Sequence, residues 1–346
     1  MRRFPLRNLS LATLLSCFGA FPAYAQESAS PEAIPAEPIR DVAPVVVSGA
    51  LPGPGLWKVS KDDDHVMWIL GTQAPLPRRM QWRSAQVEEV LAGSQELIYA
   101  PVMGLTVEAD GFFRRLFLLP KVFGARKNPD GETLRDLLPE ALYARWAPLR
   151  ERYLGRGRKA ERMRPVFAAG ELWDEALDDN DLVAGGIVGP VLARAVEVHG
   201  LRETRPMWVL RITDAKALLA EIEHTQLNDL QCLEATVQEL EDGPDRLRLR
   251  ANAWAAGDLA ALRALPDAGR RRHACADAVF ESPALRKRGG EGIDGRMEAL
   301  WLEAAEKALA NNASTFALLP IGNLLSSEGY LAHLAERGYQ VTPPQS

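Results

Sequence analysis

The first apolar runs are short. Leu56-Trp57-Lys58-Val59 and Val66-Met67-Trp68-Ile69-Leu70 flank the polar turn Lys61-Asp62-Asp63-Asp64, and this pattern predicts two strands of a hairpin. The second run stops at Gly71, and Thr72-Gln73-Ala74, followed by Pro75 and Pro77, reads as a tight loop. Ser84 then stands as the N-cap of a helix over 85–92, with Glu88 and Glu89 in or near its first turns. Glu96-Leu97-Ile98-Tyr99 predicts a third strand. Residues 56–99 therefore read strand, strand, helix, strand.

The middle of the chain changes period. Apolar positions recur at helical spacing over 133–149, 166–177, 191–199 and a long stretch, 215–240. The pattern continues over 246–254, 259–265, 271–280 and 295–310, where Met297, Leu300, Trp301, Ala304 and Leu309 form a core stripe. The ending returns to the opening pattern, with a buried strand at Thr315-Phe316-Ala317-Leu318-Leu319 and a turn at Pro320-Ile321-Gly322-Asn323. A helix over 328–337 and a last strand at Tyr339-Gln340-Val341 complete it. Together these predict an α/β (α+β) fold whose mixed sheet comes from N- and C-terminal strand-turn-helix units, with a large helical insert between them. Open sheets bind ligands outside the carboxyl ends of their strands, so the two end turns are expected to face one cleft.

Composition narrows the function classes. The 346 residues are 47% hydrophobic and 25% charged, enough to bury a sizeable core. The 41 basic and 46 acidic side chains are dispersed and sum to −5, which lacks the basic footprint nucleic acid requires. The denser basic stretches, 156–164 and 270–273, read as solvated helix faces. At the start, Arg2, Arg3 and Arg7 precede a short apolar stretch, Leu9 to Phe21, and Ala23-Tyr24-Ala25 has the small-x-small form of a cleavage site. Residues 1–25 are thus expected to be a signal peptide cut before Gln26, giving a periplasmic or secreted protein. Leu14-Leu15-Ser16-Cys17 loosely resembles a lipoprotein box, but Phe18 after the cysteine and the better Ala-Tyr-Ala site both argue against it. No later run reaches the roughly 20 apolar residues that span a bilayer. Residues 26–54, rich in Pro, Ala and Ser, read as a flexible linker before a single domain over 55–343.

Beyond Cys17 the chain has Cys232 and Cys275, which in an oxidising compartment are expected to form a disulfide. A thiol nucleophile or zinc site is the competing reading, because His273 stands near Cys275, but CxxC and HxxxH spacings are absent. Asp62, Asp63 and Asp64 lack the spaced ligands of a calcium loop and read as a hairpin tip. The five histidines form no ligand pair in sequence.

Several stretches together resemble one family. Leu56-Trp57-Lys58-Val59, the strand entering Gly71-Thr72, Ala255-Ala256-Gly257-Asp258, Gly322-Asn323-Leu324, Glu328-Gly329-Tyr330-Leu331 and Arg337-Gly338-Tyr339-Gln340-Val341 look like the TraB/GumN family, related to the Tiki proteins. The likeness covers roughly 55–343 and implies a metal-dependent hydrolase or peptidase whose terminal turns each read GxxH, with a glutamate after the third strand. Matched residue by residue, the first turn begins at Gly71 and places Ala74 at its histidine. Ala100 falls near the glutamate position. In the last turn Pro320 takes the glycine position, and Asn323, after Gly322, that of the histidine. An acidic position falls on Val188, and of an Arg-Asn pair Arg296 is kept while Met297 replaces the amide. Losing several ligands should abolish a metal site. The resemblance therefore implies a pseudoenzyme without a cofactor, in which Gln73 and Asn323 remain as amides able to bind a peptide or glycan of the cell envelope. A metal-dependent hydrolase using non-standard residues and a structural envelope protein are the alternatives. Oligomeric state is left open.

Overall fold

The apolar runs at the two ends of the chain become neighbours in space. A computed structural model of the protein describes residues 53–62, 64–107, 124–224, 227–266 and 269–344. The expected signal peptide over 1–25, with Cys17, and residues 26–52 of the expected linker lie outside the described residues. Gly53 and Pro54 belong to the fold: both are buried, and the Gly53 carbonyl lies only 2.7 Å from where a Cβ on Gly257 would stand. With its φ of +69°, Gly257 is a position for glycine on two counts.

The strands are β1 (Leu56–Ser60), β2 (Val66–Thr72), β3 (Leu76–Pro77), β4 (Glu96–Ile98), β5 (Val102–Val107), β6 (Leu182–Val183), β7 (Arg202–Thr204), β8 (Met207–Ile212), β9 (Ser314–Pro320) and β10 (Gln340–Thr342). Six of them form the main mixed sheet in the order β10-β1-β2-β9-β4-β7. The expected hairpin β1–β2 is antiparallel, whereas β2 runs parallel to β9 from Val66↔Ser314 to Thr72↔Pro320. β4 lies parallel on the other side of β9.

The helices are α1 (Ala85–Ala92), α2 (Leu134–Leu137), α3 (Glu140–Leu154), α4 (Pro165–Asp179), α5 (Gly189–His199), α6 (Ala215–His224) and α7 (Leu230–Glu241). After them come α8 (Pro244–Ala255), α9 (Leu259–Ala264), α10 (Arg270–Phe280), α11 (Pro283–Arg286), α12 (Ile293–Asn311), α13 (Ile321–Leu325) and α14 (Tyr330–Glu336). Alternation along β2 and β9 splits the core into two layers. Met67, Ile69, Ala317 and Leu319 pack with Trp254 of α8 and Trp301 of α12. Leu70, Phe316 and Leu318 face Val87 and Leu91 of α1 and Leu192 of α5. The helical insert has its own core around Trp146, Leu172, Trp173, Leu233 and Val237. The disulfide Cys232–Cys275 ties α7 to α10 at its edge. Among the described residues no helix is long and apolar enough to cross a membrane.

Several local expectations are corrected. The stretch 215–240 is two helices, because Asp229 is buried and its Oδ2 accepts from the Val166 N–H at the start of α4, 3.1 Å away. The stretch 133–149 breaks at Leu138-Pro139, where Leu138 is extended because the helical conformation is disfavoured before a proline, and this separates α2 from α3. Ser84 does not cap α1 through the backbone, since its hydroxyl donates instead to Glu88 Oε1. The turn at 320–323 is the start of α13. On α12, Trp301 and Leu309 are buried with Leu302, Ala305 and Ala308, while Met297, Leu300 and Ala304 are half-buried.

The basic stretches are not wholly solvated. Arg164 is 2% exposed, and its Nε donates to the Ala125 carbonyl at 2.9 Å. Arg271 stacks on Trp173 with 3.9 Å to the ring centroid. Strands β3, β5, β6, β7 and β8 are additions to the predicted elements; β5 and β8 pair in parallel as a separate ribbon.

Candidate functional site

Parallel pairing brings the carboxyl ends of β2, β9 and β4 to one edge of the sheet, with Gly71 opposite Leu319 and Thr72 opposite Pro320. The segments leaving these strands differ. After β2 the chain is held by packing: the Trp254 indole N–H donates to the Gly71 carbonyl at 2.6 Å, and the Thr72 hydroxyl donates to the Leu319 carbonyl at 3.3 Å. Gln73 is 6% exposed and its Nε2 donates to the Ala74 carbonyl, while Ala74 is exposed.

After β9 the chain opens onto a cavity of about 810 Å³. Pro320, Gly322 and Asn323 line it from β9 and α13, and Pro101 and Met103 line it from the end of β4 and from β5. Of the residues singled out by sequence, Met297, Pro320, Gly322 and Asn323 therefore line the cavity. Against the expectation that both end turns face one cleft, Gly71, Thr72, Gln73 and Ala74 do not line it, because Trp254 and α13 pack over the end of β2, and half-buried Ala100 immediately precedes its wall. Arg296 points elsewhere, its guanidinium 5.1 Å from the ring centroid of Trp208. Val188 is half-buried against both core layers. Glu96, the carboxylate of β4, sits at the opposite end of that strand from the cavity, bonded to Arg202, Thr204 and Asn312.

The cavity wall is amphipathic. Leu262, Phe280, Met297 and Leu325 supply its apolar share, and charged groups come from α9, α10 and α12. Asp294 and Glu298 each have a histidine neighbour: His273 Nδ1 lies 3.6 Å from Asp294 Oδ2, and His333 Nδ1 lies 2.9 Å from Glu298 Oε1. Tyr330 is buried edge-on against Trp301 at 5.3 Å and lines the cavity together with Asn323. Burial first, and then the negative charges of Glu298 and Asp294, push the Tyr330 phenol far above the ordinary tyrosine range. Tyr330 is thus a neutral hydrogen-bonding group at every physiological pH.

A transition-metal centre needs three or more converging ligands. Among the described residues no group of three or more His, Cys, Asp or Glu side chains is placed to hold a metal ion. The described residues therefore offer no such ligand set. The cavity can accept hydrogen bonds, pair with charges and bury apolar surface. Residues 263, 272, 294, 298 and 330 were not legible as a set in the sequence, because they come from four helices whose convergence only packing reveals. Tyr330 alone fell within a stretch that the family resemblance marked.

No curated protein and no solved structure matches the chain. The profile of the TraB/PrgY/gumN family matches residues 55–343, most of the sequence and the whole of the sheet and its helical insert, and the chain belongs to that family.

Proposed function

We propose that the chain is an exported, catalytically silent member of the TraB/PrgY/gumN family that binds a peptide of the cell envelope in the cavity beside Asn323. The observation that carries this reading is the cavity itself: about 810 Å³ at the carboxyl ends of β9 and β4, within the size range of small-ligand sites. Its wall offers the amide of Asn323 where the family resemblance expects an imidazole, beside the neutral phenol of Tyr330. An amide and a phenol orient a ligand without activating water. Two methionines, Met103 and Met297, with Leu262, Phe280 and Leu325, suit the side chains of a peptide better than the hydroxylated faces of a glycan. The disulfide between Cys232 and Cys275 supports export to an oxidising compartment.

Two measurements test this reading on the mature protein. In calorimetric titrations with zinc, manganese and cobalt, no binding at micromolar concentrations is expected; tight stoichiometric uptake would instead favour a hydrolase with non-standard ligands. In thermal unfolding, pools of short peptides should raise the transition temperature, since a ligand at one hundred times its Kd stabilises by about 2.7 kcal/mol. Stabilisation by glycan fragments and not by peptides would transfer the site to sugar recognition. Indifference to both would leave a structural envelope role.

A further inference from the structure

The cavity carries two arginines that no carboxylate of the described residues neutralises. Of the cavity's three carboxylates, Asp294 and Glu298 each have a histidine beside them and Glu328 lies at its rim, while Arg263 of α9 and Arg272 of α10 line the same cavity and make no ion pair among the described residues. Both are exposed, so their guanidinium groups are available to a ligand entering from solvent. The elements beneath them are fixed. Arg250 is 6% exposed, and its Nη2 donates to the carbonyls of Leu265 and Pro266, which pins the chain just after α9. The Cys232–Cys275 bond anchors α10 three residues beyond Arg272. Two guanidinium groups on anchored helices line one cavity with the apolar side chains of Leu262, Phe280 and Met297, which suits a ligand that is anionic at its tip and apolar just behind it.

We propose that this cavity recognises the free C-terminal carboxylate of a peptide, with Arg263 and Arg272 pairing with the carboxylate and the apolar wall taking the terminal side chain. The inference rests on the peptide reading above and adds that the ligand is a chain end rather than an internal segment. Arg263 and Arg272 act here as binding residues, and no bond of the ligand is broken.

The test uses the mature protein and fluorescent N-acetylated hexapeptide pools ending in leucine or phenylalanine, each made as the free acid and as the carboxamide. Fluorescence anisotropy should show the acids binding about tenfold or more tightly than the amides, the change expected of charge-assisted hydrogen bonds. The Arg263→Ala/Arg272→Ala variant should lose that preference while keeping the weaker amide affinity. Arg263→Lys/Arg272→Lys should retain part of it, because charge survives without the bidentate fork. Because neither arginine makes an ion pair among the described residues, wild-type thermal unfolding is expected of both variants, and it is measured alongside. Equal binding of acids and amides by the wild type, or an acid preference unchanged in the alanine variant, would overturn chain-end recognition and leave peptide binding standing. Failure of all four pools to bind would overturn both.

Discussion

Gly71 is a residue whose importance is visible in sequence and whose reason is not. The sequence shows an apolar strand stopping at a glycine, which reads as the start of a tight loop. The structure gives it a packing reason: a Cβ at this position would stand 2.4 Å from Ile321 Cδ1, 3.1 Å from Leu324 Cδ1 and 3.3 Å from the Trp57 ring. α13 thus lies directly on the end of β2, and only a residue without a side chain lets it do so. Gly71→Ala is expected to destabilise the protein by about 1–3 kcal/mol, the usual cost of overpacking a closed core. Urea unfolding checks this, and a variant as stable as wild type would show that α13 shifts freely.

At the scale of elements, α7 and α10 are held together in two ways. Their side chains pack around buried Cys232, and the Cys232–Cys275 bond closes a loop with a sequence separation of 43. Loop-closure entropy for a span of this length makes such a bond worth about 4 kcal/mol. Reduction is therefore expected to lower the transition temperature clearly, with unfolding followed by circular dichroism with and without a reductant. Full alkylation of both thiols in the native, unreduced protein would contradict the bond itself. Sequence periodicity located α10 and the end of α7 to within a residue. It failed at the start of α7, because the carboxylate that ends the preceding segment, Asp229, bonds to α4 from a distance in sequence that no local pattern records.

At the scale of the whole molecule, Glu96 joins three distant parts of the chain. Its carboxylate is buried and accepts from Arg202 of β7 at 2.5 Å, from Thr204 of β7 at 2.5 Å and from Asn312, just before β9, at 2.7 Å. Burial alone would raise its pKa, but these hydrogen bonds prevail and hold it below the ordinary glutamate range. A carboxyl depressed in the folded state stabilises the fold fully above its unfolded pKa, near 4.3, and loses that contribution as the pH falls. Glu96→Gln turns a pure acceptor toward three donors and should cost about 1.5–3 kcal/mol at pH 7. The gap between wild type and variant is expected to narrow below about pH 4, as followed by urea unfolding at a series of pH values. A gap independent of pH would mean that shape and not charge carries the junction.

The sequence by itself determined the hairpin β1–β2, the strand β9, the succession of helices between them and the α/β class, because each of these is written in the period of apolar residues within one short segment. It also placed the two end turns at a common sheet edge, since parallel neighbours in an open sheet expose the same ends of their strands. Only the tertiary structure decided which of those turns borders a cavity. The loop after β2 is closed by Trp254 and α13, whereas the start of α13, which follows β9 directly, borders the cavity that α9, α10 and α12 also line. The physical reason is that a cavity is what packing leaves unfilled. Its walls are contributed by helices tens of residues apart, and their approach is fixed by buried contacts such as Arg250 with Leu265 and Pro266, which leave no period in the sequence.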